Sequence, residues 1–458
     1  MKRLFQGWVV ASAFSTLGIY FGGRYIELGY VAAAIICFGL LLEHARLGFK
    51  PVRIRSLLIL DFRWVVLFLC VAILTTLLSP YQPAIFGKST TSIGGFLATA
   101  GASIGLAYRI RNRPTETTAY VRALWASVTV LALVGICQGL FWNLFGSENW
   151  LTFNWLNALA GGPTWSRPDA FGPVRRVNGW EKEPAYFAAV LAMVMPIAML
   201  RLGIFGQAPA AALRPIAGRG ASIALLIGLF FAMSLLGFAM VALTIGILWF
   251  VSRQKNTRYL RLLGVVALGT AVIAAVGGHE TRLFDKVASI GLLFGQEERP
   301  ATSGDSLSTL ALLANYTALK ANWKHSTSVL GGGLGSHPLA YAYARPASDA
   351  PSDIPHLAGL NAEDAGSLGL RLLSETGLLG AAVFLIGAYS LLLRFLLTQR
   401  TMRVLGDRDP YKTLSSAFTV AALVILTYQT IRLGSYFYQP LWVLLAFVSG
   451  LRPHVTST

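Results

Sequence analysis

The side chains best suited to acid-base chemistry are two histidines and two carboxylates in one polar stretch of the chain. His337 follows a glycine-rich run, Leu330-Gly-Gly-Gly-Leu-Gly-Ser336, in which glycine permits close approach of the backbone to a ligand. His356 is followed within a few residues by Glu363 and Asp364. Any of these four groups could take a proton from a hydroxyl group. The competing interpretations are a structural histidine after a glycine turn and a solvated loop end.

Basic side chains that could bind a phosphorylated ligand lie in the same polar regions. Arg175 and Arg176 are adjacent and precede Pro184, a residue suited to the first turn of a helix. Two guanidinium groups can hold a diphosphate bidentately, and a helix N-terminus favours anions. Alternatively, the two arginines pair with Glu181 and Glu183 or contact lipid head groups. Further candidates for diphosphate binding are Arg282, Lys324, Arg345 and Arg371.

The composition excludes an ordinary soluble enzyme. Hydrophobic residues make up 55% of the chain, charged residues 13%, and the mean hydropathy is +0.60. The net charge of +18 could suggest nucleic acid, but the basic residues lie mostly in short loops beside apolar runs, where they set topology and meet anionic lipids. We therefore expect no nucleic-acid partner. The three cysteines lie inside apolar runs, so neither a disulfide framework nor a metal site is expected, and no cofactor is expected either.

The apolar runs predict an all-α polytopic membrane protein with about 12 transmembrane helices in a single transmembrane domain, residues 1–458. The run 221–250 is divided near Ser234 and Gly237, because a hairpin there keeps the basic loops on one side of the membrane. The predicted spans are 5–22, 25–42, 62–79, 93–108, 121–142, 184–200, 221–235, 237–252, 262–277, 372–393, 413–431 and 436–451.

This topology places both termini in the cytoplasm and two large loops in the periplasm. The first loop is 143–183, and the second, between the ninth and tenth helices, is 278–371. The segment 306–323 has helical spacing of apolar residues, so the second loop should be partly helical. Because basic residues are disfavoured on this side of the membrane, those in the loops should have an anionic partner.

Three motifs occur in order along the chain: Arg176-x-x-Gly179 before Glu183-Pro-Ala-Tyr-Phe-Ala188, then the glycine-rich run ending in His337, then Leu372-Leu-Ser-Glu-Thr-Gly-Leu-Leu-Gly380. Together they resemble the O-antigen ligase and polymerase superfamily of bacterial envelope glycosyltransferases, over roughly residues 165–395. The resemblance implies a metal-independent enzyme of the inner membrane with a glycosyltransferase C-like fold. It also implies a glycan substrate carried on undecaprenyl diphosphate, with Arg176 or Arg175 on the diphosphate.

The chain departs from that family pattern at two points. Gly366 and Ser367 stand where many members carry His-Asn, and no Ser-Arg pair occurs near Ser234. The first departure leaves the general base to His337 or to one of the residues His356, Glu363 and Asp364, and it favours a polymerase over a ligase.

We therefore expect a polymerase of O-antigen or exopolysaccharide that joins undecaprenyl-diphosphate-linked repeat units at the periplasmic face. Membrane lipids, a chain-length regulator and a flippase are its candidate partners. The alternatives are a ligase that transfers glycan to lipid A core or protein, a peptidoglycan polymerase, and a lipid-glycan transporter or flippase. The predicted spans contain no chain of buried charges, which argues against a proton-coupled transporter.

Overall fold

The computed structural model describes residues 1–15, 17–21, 24–46, 56–146, 169–171, 174–181, 183–252, 307–344, 361–401 and 408–456. The helices are α1 (Lys2–Ala13), α2 (Leu28–Arg46), α3 (Ser56–Leu77), α4 (Phe86–Asn112), α5 (Pro114–Leu144), α6 (Pro184–Ala192), α7 (Met195–Arg201), α8 (Gln207–Ala212), α9 (Arg219–Ala232), α10 (Leu235–Ser252), α11 (Leu307–His325), α12 (His337–Ala344), α13 (Leu368–Thr401), α14 (Pro410–Arg432) and α15 (Gln439–Thr456). Two antiparallel hairpins pair β1 (Gly18–Phe21) with β2 (Arg24–Glu27) and β3 (Asp169–Phe171) with β4 (Val174–Arg176).

The helices have the length and surface of membrane-spanning segments. Among the described residues, α2, α4, α5, α13 and α14 are long and apolar enough to cross a membrane, and α6 and α7 pass the same test as a pair bent by 54°. Large apolar side chains such as Phe38, Val66 and Ile386 are more than 60% exposed, which suits contact with lipid rather than water. The chain is thus an all-α membrane protein with two short hairpins.

The centre of the bundle is the pair α14 and α15. The most apolar stretch of α14 is 83% buried, and the pair packs against α4 and α13 as well as against itself. Polar side chains tie it to its neighbours: Gln399 donates to Ser415 and Thr419, and Ser103 donates to the Trp442 carbonyl. Such interhelical bonds satisfy polar groups that lipid cannot.

One end of the bundle, here called the basic end, gathers several arginine-bearing connections of the described part of the chain. Several contacts join them: Arg122 to the Pro215 carbonyl (2.9 Å), Tyr411 to the Pro114 carbonyl (3.3 Å), and the Arg400 guanidinium over the Phe250 ring (3.8 Å). The connections after α5 and before α13 lie at the opposite end. There Val177 donates its N–H to the Phe231 carbonyl at the end of α9, and both connections contact the end of α14. Helices α9 and α10 run between the two ends in opposite directions.

One part of the predicted span pattern is corrected, and the predicted division of the run 221–250 is observed. The helix predicted over residues 5–22 ends at Ala13, and the chain forms the β1–β2 hairpin instead. The run 221–250 breaks at Met233, which has a left-handed backbone (φ 43°), next to the Ser234 identified from the sequence. The predicted span 262–277 lies outside the described residues, so the total of twelve stays a prediction.

The second polar loop contains the helix predicted over residues 306–323, now α11. Pro184 opens α6 at the first helical turn, as predicted. Helix α13 begins before the predicted 372, and its backbone is broken at Gly377 (φ 64°, ψ −168°). This break positions the candidate site.

Candidate functional site

The glycine loop, residues 330–336, is hydrogen-bonded to the broken turn of α13. The amides of Gly332 and Gly333 donate to the carbonyls of Ser374 (3.0 Å) and Glu375 (2.8 Å). On the far side of the break, the Leu378 and Leu379 amides donate to the carbonyls of Ser328 (2.9 Å) and Val329 (3.1 Å). The loop therefore supplies partners to backbone groups that the break releases from helical bonding.

Glycine is required where the two backbones touch. A Cβ at Gly331 would lie 2.5 Å from the Gly377 nitrogen, and one at Gly377 would lie 2.3 Å from the Val329 carbonyl oxygen. Both residues also have positive φ, 69° and 64°, a conformation that side chains disfavour. The glycines predicted to allow close approach to a ligand thus allow close approach of the chain to itself.

The end of α3, the start of α4 and the connection between them also contact the glycine loop. Ser79 donates to the Gly332 carbonyl, Ser89 donates to the Leu334 carbonyl (2.5 Å), and the Leu334 amide donates to Thr76 Oγ1 (3.1 Å). These bonds hold the loop in addition to its bonds with α13.

His337 lies beneath the glycine loop and is completely buried. Its Nε2 lies 2.9 Å from Asn315 Oδ1, and its Nδ1 lies 2.9 Å from Ser374 Oγ. Because an amide oxygen only accepts, Nε2 carries the proton and Ser374 donates to Nδ1. Burial, with the positive charges of Arg371 and Lys88, lowers the pKa of His337 to about 3. The ring is neutral at pH 7. Both of its nitrogens are bonded to protein side chains, so His337 links α11 to α13 and is not exposed to a substrate.

Asn322 extends this buried network. Its amide nitrogen donates to Ser336 Oγ and to Ser374, each at 2.9 Å, while its Oδ1 has no hydrogen-bond partner among the described residues. Asn315 and Asn322 are seven residues apart in α11, so they lie on one face of the helix. Helix α11 thereby joins the glycine loop to α13.

Arg371 and Glu375 form a buried ion pair one helical turn apart on α13. Arg371 Nε donates to Glu375 Oε2 (3.3 Å), and the Tyr436 hydroxyl donates to the same oxygen (2.8 Å). Burial, together with the Glu375 charge, raises the pKa of Tyr436, so the phenol remains a donor. Glu375 Oε1 is buried without a hydrogen-bond partner in the described part of the chain.

The connecting segment, residues 430–438, consists of the last residues of α14 and the chain that leads from it to α15, and it brings the two predicted loops together. Glu183 of the first loop pairs with Arg432 at 3.8 Å. Ser367 of the second loop donates to the Thr430 carbonyl (2.7 Å), and Arg371 donates to the Gly434 carbonyl (3.0 Å). Both loops therefore contact one short segment.

Asp364 and Glu363 are neighbours in very different surroundings. The Asp364 carboxylate is half-buried and accepts from the Gly366 amide (2.9 Å). Its backbone abuts Gly434, so Asp364 lies at the connecting segment. Glu363 is 81% exposed and pairs with Lys88 at the start of α4. Of the two, Asp364 is the carboxylate that lies against the connecting segment.

The other predicted site residues are distributed as follows. Arg176 is half-buried at the end of β4, and Lys324 is exposed in the last turn of α11. For Arg175 only the backbone, in β4, is described. His356, Arg282 and Arg345 lie outside the described residues.

Several groups at this end were not predicted as site residues. They are Lys88, Asn315, Asn322, Ser374, Glu375, Arg432 and Tyr436. The asparagine pair carried a usable signal, since two amides at a spacing of seven lie on one face of a helix. No protein-family model matches the chain, and no curated protein matches it.

Proposed function

We propose that the protein is a bacterial inner-membrane polymerase of O-antigen or exopolysaccharide, with a glycosyltransferase C-like mechanism at its periplasmic face. The observation that carries this proposal is the meeting of the two polar loops at the connecting segment. Glu183 pairs with Arg432, while Ser367 and Arg371 donate to the Thr430 and Gly434 carbonyls of the same segment. A lipid-linked diphosphate could be reached there by basic groups from distant parts of the chain.

The proposed diphosphate ligands are Arg432 and Arg176. The Arg432 side chain is 25% exposed, and its contact with Glu183 is long at 3.8 Å, so an incoming diphosphate can replace the carboxylate at small cost. Arg371 has a different role, because it is buried and its guanidinium is bonded within the protein. It holds the start of α13 against the connecting segment.

Asp364 is the proposed general base. It is half-buried, and its backbone lies against Gly434, two residues after Arg432. The acceptor hydroxyl oxygen bonds to the anomeric carbon as the bond from that carbon to the diphosphate oxygen breaks. The hydroxyl proton passes to Asp364, and the bonding electrons leave with the diphosphate, whose charge the arginines stabilise.

The test uses the full chain in nanodiscs with undecaprenyl-diphosphate-linked repeat units from its host, analysed by gel and mass spectrometry. A ladder that rises by whole repeat units supports the polymerase. Asp364→Asn should abolish the ladder, whereas Glu363→Gln, the matched change at the exposed neighbour, should retain it. No elongation with an authentic donor, or full activity in Asp364→Asn, would refute the assignment. Transfer to lipid A core or protein instead would indicate a ligase.

The broken helix α13 and the bent pair α6–α7 favour one second candidate, a lipid-glycan transporter. Discontinuous helices that line a substrate path are common in transporters. This candidate requires movement of the lipid-linked glycan across a liposome bilayer without a change in glycan length. Elongation without such movement would exclude it.

A further inference from the structure

The basic end of the bundle contains a cavity lined by four arginines. It has a volume of about 220 Å³, and its charged lining consists of Arg201, Arg214, Arg219 and Arg408. No ion pair joins any of the four to a carboxylate in the described part of the chain. Like charges gathered around one cavity repel one another, so an anion bound between them would relieve that repulsion.

Arg201 gives this cavity a fixed wall. Arg201 is only 9% exposed, and it donates to the carbonyls of Ala217 (2.7 Å) and Ala210 (3.3 Å). These bonds occupy only part of the five-donor guanidinium and hold the connection between α7 and α9 in place. Arg214 lies in that connection, Arg219 is the first residue of α9, and both side chains are exposed.

The start of α9 adds backbone donors beside the arginines. Gly218 precedes the helix and provides no side-chain cap. A Cβ at Gly218 or Gly220 would meet nothing within 4 Å, so the backbone is open on that side. The first N–H groups of a helix lack internal partners and favour a phosphate.

We infer that this cavity binds a phosphate group, supplied either by a free phosphate or by the head group of an anionic phospholipid. Guanidinium groups match phosphate oxygens in geometry as well as in charge. The volume is below the range of about 300–1,000 Å³ typical of sites for larger organic ligands, so a compact phosphate fits better than a nucleotide. This site lies at the end of the bundle opposite the connecting segment and does not depend on the proposed polymerase.

The test measures binding to the full chain in phosphatidylcholine nanodiscs at about 0.15 M salt, where loosely held surface ions are screened. Inorganic phosphate is titrated by calorimetry in one arm. In the other, native mass spectrometry of protein purified with phosphatidylglycerol and cardiolipin detects retained lipid. Saturable phosphate binding identifies a free-phosphate site, and retention of the anionic lipid alone identifies a head-group site.

Arg214→Gln and Arg219→Gln should each weaken binding in the positive arm by about 10- to 100-fold, the loss expected for one charge-assisted hydrogen bond. Both side chains are exposed, so the variants should fold. The matched control is Arg394→Gln, which removes an exposed arginine outside the cavity and should leave binding within about 2-fold. Failure of both arms, or equal binding in all three variants, would overturn the inference.

Discussion

Replacement of Gly377 by alanine tests the junction between the glycine loop and α13. At φ 64° and ψ −168° the backbone lies in a region that essentially only glycine occupies. The new methyl carbon would lie 2.3 Å from the Val329 carbonyl oxygen and 2.4 Å from its carbon. Because both neighbours are backbone atoms, no side-chain rotation can relieve the clash, and the loop must separate from the helix.

The expected cost has two parts. Backbone strain of this kind contributes about 1–3 kcal/mol, and forcing an extra methyl into a packed site contributes about 1–3 kcal/mol more. The total of about 2–6 kcal/mol should weaken the bonds from the Gly332 and Gly333 amides to α13. At about 1.4 kcal/mol per tenfold change, these amides should exchange hydrogen roughly 30-fold to 10⁴-fold faster than in the original chain.

Hydrogen-deuterium exchange measured by mass spectrometry on the protein in nanodiscs provides the assay. Gly94→Ala is the matched control, because Gly94 lies within α4 and a Cβ there would meet nothing within 4 Å. Alanine should stabilise that helix by about 0.5–1 kcal/mol without changing exchange in the loop. If Gly377→Ala and Gly94→Ala gave the same exchange in residues 328–336, the proposed backbone junction would be incorrect.

Three further changes probe the surrounding groups by thermal unfolding. The pKa of His337 is about 6.5 in the unfolded chain, and folding lowers it to about 3. As the pH is lowered from 6.5 to 3, the unfolded chain alone binds this proton, so the free energy of unfolding should fall by about 1.4 kcal/mol per pH unit. His337→Gln should lack this loss. Glu375→Gln leaves the buried Arg371 without its carboxylate and should cost about 3–5 kcal/mol, with partial recovery in a double leucine variant of the pair; no loss would contradict the buried pair. Lys88→Ala removes an ion pair with the exposed Glu363 and should cost less than about 1 kcal/mol, so a larger loss would show that Lys88 has another role.

The helices were largely predictable because long apolar runs determine them directly. Helix α11 was predicted from the spacing of Leu312, Tyr316 and Leu319, which places apolar side chains on one face. The β1–β2 hairpin was not, because Ile19, Tyr20 and Phe21 extend the apolar run of α1. Aromatic and β-branched residues suit a strand as well as a membrane helix, and local sequence does not separate the two.

The site was less predictable than the helices because its contacts join distant residues. Lys88 and Glu363 are 275 positions apart, and nothing near either residue indicates the partner. Arg371 was identified as a basic group facing an anionic ligand, yet its carboxylate partner is Glu375, one turn later. An i,i+4 pair could have been recognised from the sequence, but its burial depends on Tyr436 and the connecting segment.

The central position of α14 and α15 has a consequence for how the protein assembles during synthesis. Both helices come later in the chain than every other described helix, including those that surround them. Until they leave the ribosome, Ser103 and Gln399 lack the partners they have in the folded bundle. The earlier helices must therefore insert around an unfilled space and remain loosely associated. The bundle therefore closes late in biogenesis, when α14 and α15 insert at its centre.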